Sequence, residues 1–153
     1  MKLQIDNNQN KIKIDKRKFR STVLKILKIL DCTNKEISLS FTDDEQIKKL
    51  NKQYLGKNNP TNVISFPLQE GEYSEINPNI LGDIVISVET AQKDALHGNL
   101  TLYQEIDFLI IHGILHLLGY NHENTTRKEI IRMHQKEIDL FKALYGCDAC
   151  LIK

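Results

Sequence analysis

The 153-residue chain predicts an α/β fold in a single domain, a small mixed β-sheet covered by helices. Three observations carry that expectation. Short runs alternate apolar with polar residues, as half-buried strands do. Longer runs between them repeat apolar residues at helical spacing. Pairs of the form Thr-x-x-Glu/Gln stand before several of those runs and mark helix starts. The length suits one core rather than two, so one domain over residues 1–153 is expected.

Residues 2–6 and 11–14 alternate and predict a strand or a short hairpin turned through "DNNQN". Residues 16–31 carry Phe19, Val23, Ile26, Leu27 and Leu30 on one helical face. "EISLSF" (36–41) reads as a half-buried strand, and Thr42 with Glu45 then opens a helix through about Tyr54. "GKNNPT" is a turn, and "NVISF" (62–66) is a short strand stopped by Pro67. Residues 69–79 are polar, contain Gly71 and Pro78, and read as a loop. "LGDIVIS" (81–87) is the strongest strand signal, followed by a helix over about 88–97. Thr101 with Gln104 opens a helix that carries His112 and His116 and ends near Gly119. Thr126 with Glu129 opens the last helix, which runs to about Leu144 with Gly146 as its stop.

Composition excludes several classes. Apolar residues at 41% and charged residues at 27% match a folded globular domain rather than a disordered chain. The N-terminal residues hold no apolar stretch of signal-peptide length. The longest apolar-rich run, 106–120, is short for a bilayer and carries Asp107 and two histidines, so a cytoplasmic protein without a membrane partner is expected. Cys32, Cys147 and Cys150 are too few and too irregular for a disulfide framework. "CDAC" could be half of a zinc site or a redox pair, but no second pair completes it, and two thiols in a tail is the plainer reading. The net charge of +1 is uneven: residues 1–28 hold nine Lys/Arg against two Asp, a net +7, leaving −6 for the rest. Such a basic end is either a solvated helix face or a footprint for a polyanion.

The chemistry sits in "IIHGILHLLGYNH" (110–122). A lone histidine on an apolar face is ordinarily a core residue with satisfied nitrogens. Here His112 and His116 are four apart and share one helical face. Gly119 then lets the chain turn so that His122 returns to the same end of the helix. Three imidazoles converging in this way could hold one zinc per chain and leave a fourth position open, as in catalytic zinc sites. His97 and His134 lack such company and are assigned to the surface.

The spacing H-x-x-x-H-x-x-G-x-x-H is that of a metzincin-like zinc-binding helix, with one difference. Gly113 stands where a zinc protease carries its glutamate base, so peptide hydrolysis by that route lacks its proton acceptor. Zinc held by three imidazoles would bring the pKa of a coordinated water to about 7, so hydrolysis through it needs no separate strong base.

"HGILHLLGYNH" resembles the H-G-x-L-H-L-x-G-Y-D-H signature of the YbeY family, bacterial rRNA maturation factors described as metal-dependent endoribonucleases. "LNKQYLGKNNPTNVISFP" (50–67) and "LGDIVIS" resemble the family's upstream segments, so the likeness spans about 36–140. It implies a zinc on His112, His116 and His122, acting catalytically through water. It also implies a cytoplasmic, single-strand-specific endoribonuclease acting in rRNA maturation and ribosome quality control. RNA and the ribosomal subunit would be the partners, with no DNA expected. Two positions depart from the family pattern: Asn121 replaces the usual aspartate and Leu55 the usual arginine. Leucine cannot bind phosphate as arginine's fork does, and Lys57 supplies charge without that geometry.

Around the histidines, Glu105 shares their face two turns away, Asp83 could project toward them from the sheet, and the polar 60–62 loop could line a groove. The basic N-terminal region would hold RNA phosphates. The competing readings are a metzincin-like metallopeptidase and a non-catalytic, ribosome-associated zinc protein. Met133, inside a predicted helix, offers no methionine turn for the first of these.

Overall fold

Strand β4 (Ile80–Ser87) is flanked on both sides, and its near-continuous apolar run is explained by burial on both faces. The computed structural model describes residues 3–68, 79–121 and 125–146. Within them the order is β1 (Leu3–Asn7), α1 (Lys16–Ile29), β2 (Glu36–Thr42), α2 (Asp44–Leu55), β3 (Val63–Pro67), β4, α3 (Val88–His97), α4 (Leu102–Leu117) and α5 (Arg127–Tyr145). The strands form one mixed sheet ordered β1-β2-β4-β3. β1 and β4 lie parallel to β2, and β3 runs antiparallel to β4.

This topology corrects the expected N-terminal hairpin. Only residues 3–7 form a strand, and β1 reaches β2 through the α1 crossover. Residues 11–14 lie outside the strands, where the Gln9 side chain accepts from the Lys11 and Ile12 amides. Ile12 and Ile14 still pack against the core, which accounts for their alternation. The start of α2 also moves by one residue. Thr42 stays in β2 and donates its hydroxyl to the Ile86 carbonyl, while the Asp43 carboxylate caps the Gln46 amide. The box at Thr101 forms as expected, with both reciprocal bonds to Gln104.

The two faces of the sheet are unequal. Ile84 and Ile86 join a core that includes Phe19 and Val23 of α1, Ile110 and Ile114 of α4, and Phe141 of α5. On the other face Val85 and Ile64 pack against Ile47 of α2. Each fully buried side chain of this size contributes about 1.5–3 kcal/mol. The helix α4 is buried nearly all round, with Ile106, Ile110, Ile111, Ile114 and Leu115 fully enclosed. No helix among the described residues is long and apolar enough to cross a membrane.

Close approach of α4 to the sheet needs two glycines. A Cβ on Gly113 would meet Ile84 side-chain carbons at 3.0 Å. One on Gly82 would overlap the Phe66 carbonyl and meet Leu117 Cδ2 at 2.9 Å, and the φ of +145° there is itself a glycine conformation.

One polar knot lies inside this packing. The buried Asp107 of α4 accepts from Thr22 of α1 at 2.9 Å and from the Tyr145 hydroxyl of α5. Burial pushes the Asp107 carboxyl up, and the two hydrogen bonds pull it back. Burial and the neighbouring Asp107 both push the Tyr145 phenol up.

The folded protein therefore holds the Tyr145 proton at a pH where the unfolded chain has released it. Stability from this bond is full below the ordinary tyrosine pKa of about 10 and falls as pH rises beyond it. Tyr145→Phe is expected to cost about 1–3 kcal/mol near neutral pH. It should also flatten the decline of the urea midpoint between pH 9 and 11. An unchanged midpoint at pH 7 would contradict this account of the knot.

Candidate metal centre

The histidine face of α4 is fixed by what the rest of the helix must bury. Gly113 faces the sheet and Asp107 faces α1 and α5, so His112 and His116 are left on a half-buried side near α5. Their Nε2 atoms stand 3.1 Å apart, with ring planes at 80°. Two imidazole lone pairs cannot face each other at that distance without a proton or a cation between them. Two ligands held 2.0–2.1 Å from a tetrahedral zinc would stand about 3.3 Å apart, so the pair has the span of two metal ligands.

Behind the pair is a carboxylate that sequence reasoning missed. Glu137 of α5 is buried, and its Oε2 lies 3.5 Å from His112 Nδ1. A carboxylate beside Nδ1 favours the tautomer with its proton there, which turns the Nε2 lone pair toward His116. A signal for it was present. Met133, Glu137, Leu140 and Phe141 form the buried stripe of α5, and a glutamate in such a stripe needs a partner.

The other expected residues divide. His122 lies outside the described residues, as do Cys147 and Cys150 and the polar stretch 69–78. Among the described residues no three His, Cys, Asp or Glu gather as a metal site. His97 and His134 are exposed, as expected. Glu105 is on the histidine face, as expected, and is 1% exposed. Asn62 of the 60–62 loop and Glu105 both border a cleft of about 400 Å³ along that face.

One expectation is corrected. Asp83 shares the α2 side of β4 with Val85, because side chains alternate along a strand, and the histidines lie beyond the other face. It borders a separate groove with Gln4, Ser38 and Leu68. The basic N-terminal helix packs on another side of α4. α1 meets α4 at Tyr103, under Lys18, and at Asp107, roughly 140–180° round the helix from the histidines. Its lysines therefore do not flank the pair.

The position of the missing protease base has a packing explanation. Gly113 is buried against Ile84, so no glutamate fits there. Gly113→Glu is expected to destabilise the fold by more than about 4 kcal/mol, because it adds both bulk and an unpaired buried charge. Urea unfolding followed by circular dichroism checks this. A wild-type midpoint would mean that this face of α4 is open.

The family model described as "Endoribonuclease YbeY" matches residues 4–144. The protein named Endoribonuclease YbeY from Syntrophus aciditrophicus is 57% identical over 146 residues, covering 95% of this chain and 91% of the relative. Its namesake from Syntrophotalea carbinolica is 42% identical, covering 91% and 93%. The solution structure of TM1509 from Thermotoga maritima is similar in fold, with a TM-score of 0.67 at 25% identity, covering 94% of this chain and 89% of that one.

Proposed function

The chain belongs to the endoribonuclease YbeY family and is an RNA-cleaving hydrolase, and from that premise we propose that its cleavage depends on a metal held by His112, His116 and His122. The observation that carries this reading is the 3.1 Å approach of the His112 and His116 Nε2 atoms, with Glu137 behind His112. Zinc is the proposed ion, one per chain, since its preferred ligands are of this kind. When bound, such an ion supplies a Lewis acid for a phosphate oxygen and makes water acidic enough to act near neutral pH.

The chain's own residues set the stage for that chemistry. Glu137, with Oε2 3.5 Å from His112 Nδ1, favours a proton on that nitrogen and so keeps the ring in register. Phe108, whose ring lies 6.5 Å from His112, closes the N-terminal side of the pair with an apolar wall. The half-buried setting strengthens the pull of His112 and His116 on a cation relative to open water. The closed Gly113 face argues against the metallopeptidase reading, because the base of that mechanism has no room.

Single-stranded ribosomal RNA is the proposed substrate, cut during rRNA maturation and ribosome quality control. The ribosomal subunit is the proposed partner and the cytoplasm the proposed location. These finer points rest on the resemblance of the "HGILHLLGYNH" and "LGKNNPTNVISFP" segments.

Elemental analysis tests the metal assignment. His112→Ala and His116→Ala are each expected to abolish stoichiometric zinc, and a full complement in both would overturn the assignment. Glu137→Gln is expected to weaken zinc binding about 10–100-fold while leaving the fold intact. A chelator should stop cleavage of a labelled rRNA fragment, and labelled casein should remain intact throughout. RNA binding without cleavage by the zinc-loaded protein would favour the non-catalytic reading instead.

A further inference from the structure

We propose that the cleft beside the histidine pair is a nucleobase pocket that selects bases bearing an exocyclic amino group over uracil. This rests on the reading that RNA is cut at the histidine pair, and it adds which nucleotide is seated beside the cut.

The position of the cleft comes first. Glu105, Phe108 and Leu109 of α4 line it, on the helix face that continues into His112 and His116. Phe108 is about one helical turn, 5.4 Å, from His112. A strand lying across the histidines would therefore bring an adjoining base to the cleft. Its volume of about 400 Å³ falls within the roughly 300–1,000 Å³ typical of ligand pockets.

The polarity of the walls then says what can enter. Asp94 presents carboxylate oxygens, which accept hydrogen bonds, and Glu105, 1% exposed, borders the same cleft. The Asn62 amide nitrogen donates to Asp94 Oδ2 at 3.1 Å, and the Asn62 carbonyl accepts the Ser87 amide at 2.9 Å, so this residue is pinned by strand and helix. His97 Nδ1 lies 2.8 Å from the Lys93 carbonyl. A carbonyl only accepts, so Nδ1 carries the proton, which leaves Nε2 as the acceptor nitrogen of the uncharged tautomer.

A cleft walled by acceptors and two carboxylates repels a phosphodiester. It matches the amino edge of adenine, cytosine or guanine. Uracil offers one N–H between two carbonyls and would set acceptors against acceptors. The Phe108 ring supplies an apolar surface on which any base can stack, as aromatic side chains do in single-strand RNA recognition. Stacking gives affinity and the acceptor walls give the choice.

The test uses the full chain with its metal removed by chelator, so that binding is read without cleavage. Fluorescein-labelled hexanucleotides of adenylate, cytidylate and uridylate are titrated by fluorescence anisotropy. The adenylate and cytidylate hexamers are expected to bind about tenfold or more tighter than the uridylate hexamer. Asp94→Asn keeps an oxygen for Asn62 and adds an N–H₂ that a uracil carbonyl can accept, so it should narrow the ratio to about threefold or less. Free adenosine and cytidine should shift the NMR signals of the His97 ring, and uridine should not. Equal affinity for the three hexamers overturns the proposal, as does an unchanged ratio in a folded Asp94→Asn protein. Zinc-dependent cleavage without base preference would sink the pocket alone. Base preference without cleavage by the zinc-loaded protein would support the pocket and sink the metal-dependent cleavage.

Discussion

The close seating of α4 on β4 is the constraint on which the rest depends. Gly113 brings the helix down onto Ile84, and Gly82 lets Leu117 and the β3 backbone approach the strand from the same end. With that contact made, the rotation of α4 about its axis is no longer free. The Gly113 face must meet the sheet, the Asp107 face must meet Thr22 and Tyr145, and the His112/His116 face is what remains. The histidines are thus aimed by packing that lies elsewhere on the helix, in a core too dense to let the helix roll.

The helix α5 answers both polar sides of α4. Near its middle Glu137 faces His112, and at its end Tyr145 reaches Asp107. Phe141 lies between them and meets Phe108 edge-on. Buried polar groups are tolerated when partnered, and here α5 supplies a partner for buried Asp107 and sets its own buried Glu137 against half-buried His112. The same helix that closes the core therefore orients a proposed metal ligand, which ties the integrity of the fold to the geometry of the site.

Much of this was legible. The α4 helix, its Thr101–Gln104 box and the sharing of one face by Glu105, His112 and His116 follow from spacing alone, because an α-helix has one period and the run has no proline. The strand at β4 was legible from its apolar run, and family membership from the histidine motif. Glu137 was not picked out, because it meets His112 across 25 positions of sequence and only the docking of α5 joins them. Asp83 was misassigned because alternation tells which residues share a face but not which face meets α4. The N-terminal hairpin was misread because Ile12 and Ile14 alternate for burial and not for pairing.

By itself the sequence determined the local elements, their caps and the grouping of side chains on each helix face, since these depend on backbone periods and on neighbours a few residues away. It also set three imidazoles at a spacing that suits a metal, which is the basis of the proposed site. Only the tertiary structure decided that Gly113 is closed to a glutamate, that Glu137 stands behind His112, that the basic α1 packs on the far side of α4, and that Asn62, Asp94 and His97 border the cleft beside Glu105 and Phe108. Those facts rest on how separate elements dock, and docking is settled by shape and burial summed over the whole core, which no local window of residues contains.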